Sequence, residues 1–230
     1  MTKIAFFVEG YTELVFVEKL ILEVFDQSNV RIELRRITGG SSVPRHFRLI
    51  RAANAHCGEA YFVLIIDCVG GDTVKSRIVE EYDNLSQQGY DLVIGLRDVY
   101  PLARAEIPKL EQGLRYRVRT VPLRVEFVLA VMEVEAWFLA EFSHFERIDQ
   151  RLTCDLISAS LGFDPRTDLM DDRQAPAEDL SDAYQLVGRP YLKHQAPTTI
   201  GALDFPSIYL DVPSRSQSLG RLVSLINEFV

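Results

Sequence analysis

The sequence predicts an α/β fold: a mostly parallel sheet flanked by helices, with a helical and loop appendage at its C-terminal end. Three observations carry this. The short apolar runs KIAFFV, YFVLII and DLVIGL read as strands buried on both faces. Segments of helical character separate them, as the crossover between parallel strands requires. With 230 residues, 47% of them apolar, the chain can bury one large core, with or without a small extra lobe.

Lys3 to Val8 is the first strand, and Glu9-Gly10 turns the chain into a helix over Tyr11 to Phe25. That helix is apolar almost all round and is therefore expected to be deeply packed. Arg31 to Thr38 reads as a second strand, followed by Gly39-Gly40-Ser41-Ser42 and a helix opening near Pro44. The glycine-serine stretch has the makings of a phosphate cradle but lacks the Lys-Ser/Thr of a P-loop, and a plain tight turn is the simpler reading. Tyr61 to Ile66 is a strand ending on Asp67. Thr73 to Gln88 is a helix closed by Gly89, and Asp91 to Leu96 is a strand ending on Arg97-Asp98. A short helix is expected over 104–112. Val125 to Val134 is apolar again and carries Glu133 and Glu135 near its end. Residues 1–140 thus read as the α/β domain. Residues 141–230, more acidic and rich in proline, read as helices and loops packed on it.

Several function classes fall away. No apolar run reaches the ~18 residues that span a bilayer, and the N-terminus does not resemble a signal peptide, so a cytoplasmic protein with no membrane partner is expected. Cys57, Cys68 and Cys154 form no CxxC pair and no disulfide framework. The four histidines (46, 56, 144, 194) are scattered, so a zinc site of ordinary spacing is not expected. Any metal would be held by oxygen, which favours Mg²⁺ or Mn²⁺. The formal charge of −8 opposes tight free-standing nucleic-acid binding, yet six arginines against one acid between Arg31 and Arg51 leave room for a local basic surface. Solvated helix faces are the simpler account of those arginines.

Acids close the predicted strands: Glu9, Asp67, Asp98 and the pair Glu133/Glu135. In an open parallel sheet functional groups gather at the carboxyl ends of the strands. Carboxylates converging there repel unless a cation or shared protons neutralise them. Glu133 and Glu135, two apart, would face the same way on an extended segment. They would also suit the first turn of a helix. Each acid taken singly could be a turn or capping residue. Trp137 could stack a base, although a lone tryptophan in an apolar segment is more often core.

The stretch FFVEGYTELVFVEKL resembles the first motif of the Toprim fold, shared by primases, type II topoisomerases and overcoming-lysogenization-defect nucleases. There a strand ends in a glutamate, a glycine follows, and a Thr-acid pair opens a helix; the matching residues are Glu9, Gly10, Thr12 and Glu13. The resemblance implies a Rossmann-like sheet over roughly residues 1–140 and a role for Glu9 as metal ligand or acid–base group. The family's second motif, a strand ending Asp-x-Asp, is met by RDVYP, with Tyr100 where the second acid would stand. VEGYTE, RDVYP and MEVEAWFLAE together are similar to a narrower group of Toprim-like proteins found beside ATPases in bacterial defence loci.

The implied activity is metal-dependent phosphodiester cleavage of nucleic acid, DNA or RNA, with an ATPase as partner. Glu9, Asp98 and Glu135 are the expected catalytic residues. Glu9, Asp98, Glu133, Glu135, Asp67 and Glu13 are the expected metal ligands. The rival is a Toprim-shaped module that binds or regulates an ATPase without catalysis, which the missing second acid and the acidic surface favour.

Overall fold

The computed structural model describes the chain except for residues 26, 40–42, 54–59 and 230, and the side chain of His194. The glycine-serine stretch after Thr38, and with it the phosphate-cradle reading, lies largely outside the described residues, as do His56 and Cys57. Among the described residues no helix is long and apolar enough to cross a membrane. The chain divides into two compact units, one formed chiefly by Met1–Arg97 and Ile107–Leu129, the other by Asp98–Glu106 and Ala130–Glu228.

The first unit is the α/β sheet. Its elements are β1 (Thr2–Val8), α1 (Tyr11–Val24), β2 (Val30–Thr38), β3 (His46–Arg51), β4 (Tyr61–Asp67), α2 (Gly71–Gln87), β5 (Leu92–Asp98), α3 (Ile107–Arg115) and β6 (Arg124–Ala130), with the last residues of β5 and β6, Asp98 and Ala130, counted in the second unit. The strand order is β3-β2-β4-β1-β5-β6. β1 pairs in parallel with both β4 and β5, and β2 pairs in parallel with β4, while β3 runs antiparallel on the edge. Each central strand is apolar on both sides because both faces are covered. Ala5, Phe7, Leu64, Ile66 and Val93 pack with Val74, Ile78, Tyr82 and Leu85 of α2. On the alternate positions Ile4, Phe6, Val63, Ile65 and Ile94 are equally buried. α1 packs on β1, β2 and β4 through its Leu14, Val17, Leu20 and Ile21 face.

One sequence expectation is overturned here. The segment after Pro44 forms the edge strand β3 rather than a helix. HFRLIR alternates neither cleanly at period two nor at 3.6, and backbone pairing with β2 decides the matter. This also corrects the idea that the arginines of 31–51 sit on helix faces. All but Arg45, which precedes β3, project from β2 and β3, and several are paired: Arg35 with Glu33, Arg36 with Asp67, Arg45 with Glu80 and Arg51 with Glu18.

The second unit is helical: α4 (Glu135–Ala140), α5 (His144–Ile148), α6 (Cys154–Leu161), α7 (Pro176–Gln185), α8 (Ala196–Ala202), α9 (Phe205–Leu210) and α10 (Gln217–Asn227). Prolines open α7, α8 and α9, where the missing N–H costs nothing. Thr153, Asp204 and Ser216 cap α6, α9 and α10 through their side-chain oxygens. Every residue of α4 is buried, including Trp137, whose indole Nε1 donates to Ser218 Oγ at 2.7 Å. Trp137 is therefore core.

Candidate metal centre

Asp98, Glu133 and Glu135 converge within the second unit. One carboxylate oxygen from each lies within 4.8 Å of the other two, and all three residues are buried. Asp98 is the last residue of β5. Just beyond it, Val99 N–H donates to Ala130 at 3.2 Å and Tyr100 N–H to Met132 at 2.9 Å, tying the end of this strand to the turn after β6. Asp98 Oδ1 accepts from the Val134 amide at 3.0 Å, so that turn and this carboxylate fix one another.

Of the two placements open for Glu133 and Glu135, the extended segment does not form, and the first turn of a helix is where Glu135 lies. β6 stops at Ala130, Glu133 lies on a turn, and Glu135 opens α4. Met132 in that turn has φ +60°, a conformation unfavourable for a residue with a Cβ. Such outliers persist where the surroundings over-determine them. Here the buried α4 on one side and the strand ends on the other supply that constraint.

The three carboxylates are held by different partners. Glu133 Oε1 accepts from Lys193 Nζ at 2.8 Å, and its Oε2 from the Ala177 amide at 3.0 Å. Glu135 Oε1 accepts from the Tyr191 hydroxyl at 2.7 Å. Glu135 Oε2, fully buried, has no hydrogen-bond partner among the described residues. Burial raises the Glu135 pKa above its ordinary value; Lys193 and the Tyr191 hydrogen bond oppose the rise, and Glu133 adds to it. Lys193 shows the complement. Burial works against its charge, yet Glu135, Glu133 and Asp98 hold its pKa above the usual lysine range. Among the described residues, three carboxylates face the Lys193 ammonium in a buried place, and a proton or a further cation would offset the remaining negative charge.

The donor set suits a small hard cation. Around Mg²⁺ at ~2.1 Å, adjacent ligand oxygens sit roughly 3 Å apart and opposite ones about 4 Å apart. The observed spread of at most 4.8 Å closes to that with side-chain adjustments of about an ångström. The orphaned Glu135 oxygen is the group such an ion would satisfy.

The remaining expected site residues lie in the first unit. Asp67 is fully buried at the end of β4; Oδ2 accepts from Arg36 Nε at 2.7 Å and Oδ1 from the Val69 amide at 2.9 Å. It is thus engaged in an ion pair and a tight turn. Glu9 follows β1, with its carbonyl accepting from Gly70 and its carboxylate lying against Gly71 at the start of α2. Gly71 is what allows that close approach, since a Cβ there would stand 2.8 Å from the Glu9 Cδ. Glu13, buried in the first turn of α1, lies beside Gly10. Tyr100 is largely exposed.

Lys193 and Tyr191 escaped the sequence reading. One signal for Lys193 existed: it is the only lysine after Lys109, in a region otherwise dominated by acids. No curated protein and no solved structure matches the chain. A family match covers residues 8–203, which include all six acids singled out from the sequence, and the chain belongs to the family described as a domain of unknown function, DUF4276.

Proposed function

We propose that the chain is a divalent-metal-dependent phosphodiesterase acting on nucleic acid, with Asp98, Glu133 and Glu135 as ligands. The observation that carries the reading is the buried convergence of these three carboxylates, one of which, Glu135, has an oxygen with no hydrogen-bond partner among the described residues. When bound, Mg²⁺ or Mn²⁺ would supply polarisation of the phosphate and activation of water. The chain's own residues do the rest. Tyr191 and the Val134 amide fix Glu135 and Asp98, each through one oxygen. Lys193, more than half exposed at its side chain, carries an ammonium beside the cluster that can receive a phosphate oxygen. The Toprim resemblance of VEGYTE supports the same chemistry and assigns Glu9 a ligand or acid–base role; Glu9→Gln measures that role separately.

A second reading has a specific observation behind it. Lys193 already offsets part of the charge of the cluster, as in a module that needs no metal. A partner ATPase and a place in bacterial defence rest on the resemblance alone, and co-purification from the native host tests the partner. For the activity, wild type and Asp98→Asn are compared on single- and double-stranded DNA and RNA with Mn²⁺. Cleavage by the wild type that falls at least 100-fold in the variant supports the enzyme. No cleavage of any substrate, with a melting temperature that Mn²⁺ leaves unmoved, supports the second reading.

A further inference from the structure

The second unit holds a cavity of about 520 Å³, large enough for a nucleotide-sized molecule. Arg147, Tyr184, Arg189, Tyr191, Gln195 and Thr198 contribute its polar and aromatic lining, with apolar wall from Ile148, Pro190 and Leu192. From this lining we infer that the cavity binds a nucleotide unit, the phosphate at its arginines and the base between its apolar and aromatic walls. The inference rests on the phosphodiesterase reading for its meaning, since the nucleotide would belong to the substrate.

Charge, shape and connection each support this occupant. Arg147 is committed to its own neighbours, with Nε donating to the Ala202 carbonyl at 2.5 Å and Nη2 to Ser143 Oγ at 2.8 Å and to Glu141 at 3.2 Å. Arg189 is far less committed: among the described residues its guanidinium meets Asp149, through Nε at 3.3 Å, and its side chain is 58% exposed. Asp149 is also paired with Arg151 through two bonds at 3.0 Å. Asp149 is thus shared by two guanidiniums, and a guanidinium fork matches phosphate oxygens.

The Tyr184 and Tyr191 hydroxyls are engaged by Thr199 and Glu135, so their rings, 6.1 Å apart and nearly perpendicular, remain as fixed walls for a planar group. The Gln195 amide and Thr198 hydroxyl offer donors and acceptors to a base edge. Tyr191 belongs at once to the cavity and, through Glu135, to the carboxylate cluster. A nucleotide seated here would therefore lie beside the group that holds the cluster in place.

The test is calorimetric titration of the full chain with adenosine 5′-monophosphate, with inorganic phosphate, and with a short 5′-phosphorylated single strand, all in excess EDTA. Chelation removes the metal, so failure of the metal centre and failure of this site are read separately. Gly201 lines the cavity, and a Cβ there meets nothing within 4 Å, so Gly201→Phe fills the space without a clash at its root. Arg189→Ala should weaken mononucleotide binding at least tenfold, and Gly201→Phe should abolish it, with circular dichroism unchanged in both. Equal affinity for the mononucleotide and the strand identifies a free-nucleotide site; tenfold tighter binding of the strand identifies a subsite for a chain. The inference is overturned if the wild type binds no mononucleotide at millimolar concentration, if both variants bind as the wild type does, or if phosphate alone binds as tightly as the nucleotide.

Discussion

Replacing His144 by glutamine should flatten the acid side of the stability profile. The imidazole is completely buried at the start of α5, and its Nδ1 donates to the Glu141 carbonyl. That fixes the neutral tautomer and leaves Nε2 an acceptor with no partner among the described residues. Burial lowers the pKa from 6.5 to about 4; the bond to Glu141 works against the shift, and Arg147 adds to it. Above pH 6.5 both folded and unfolded chains carry a neutral ring, and the residue costs nothing. As pH falls from 6.5 towards 4 the unfolded chain takes up a proton that the folded chain refuses, so stability drops with pH across this window. Between pH 7.5 and pH 5 the loss amounts to about 2 kcal/mol, and the whole displacement from 6.5 to about 4 is worth about 3 kcal/mol. Glu141, its pKa raised by burial, acts in the opposite sense at the lower end, stabilising as it takes up a proton. Comparing wild type with His144→Gln largely removes that contribution. Urea denaturation at half-unit steps from pH 7.5 to pH 4.5 provides the assay. The difference in unfolding free energy between the two proteins should shift by about 2 kcal/mol in favour of the variant by pH 5. Parallel profiles would show that the ring titrates normally and refute the reasoning.

Other consequences are local to the sheet. Gly71→Ala places a methyl group against the Glu9 carboxylate, which must move; overpacking of this kind costs roughly 1–3 kcal/mol, read as a lowered Tm. An unchanged Tm would mean that Glu9 is loosely held. Arg36→Ala strips the buried Asp67 carboxylate of its charged partner. Because the arginine is nearly half exposed, water replaces part of the loss, and a cost of roughly 1–3 kcal/mol is expected, short of that for a fully buried pair. In Asp67→Asn the same arginine change should cost much less, and equal costs in the two backgrounds would contradict the pairing. Mn²⁺ should raise the Tm of the wild type by mass action and leave Asp98→Asn unmoved; equal shifts would take Asp98 out of the site.

Strand identity and strand-end chemistry were legible in the sequence because buried parallel strands write unbroken apolar runs. KIAFFV, YFVLII and DLVIGL became β1, β4 and β5 with ends within a residue or two, and the acid closing β5 is a member of the cluster. Glu133 and Glu135 were legible as residues, while the choice between an extended segment and the first turn of a helix, where Glu135 lies, stayed open. A turn with a left-handed Met132 separates β6 from α4, and nothing in VLAVMEVEAW marks where pairing stops. β3 was missed because an exposed edge strand has no core to impose alternation, and its partner β2 is what makes it extended. Lys193 and Tyr191 reach the cluster across 60 and 56 residues of chain, a distance over which no local pattern can report.

The central claim, that Asp98, Glu133 and Glu135 hold a divalent ion, is tested most directly by a crystal of the protein soaked in Mn²⁺ and measured at the manganese absorption edge. The account predicts an anomalous peak with an oxygen of each of the three carboxylates at ~2.1–2.3 Å, the Glu135 oxygen that lacks a partner among them. A soaked crystal with no peak at these carboxylates, and Lys193 still bonded to Glu133 as here, would contradict it.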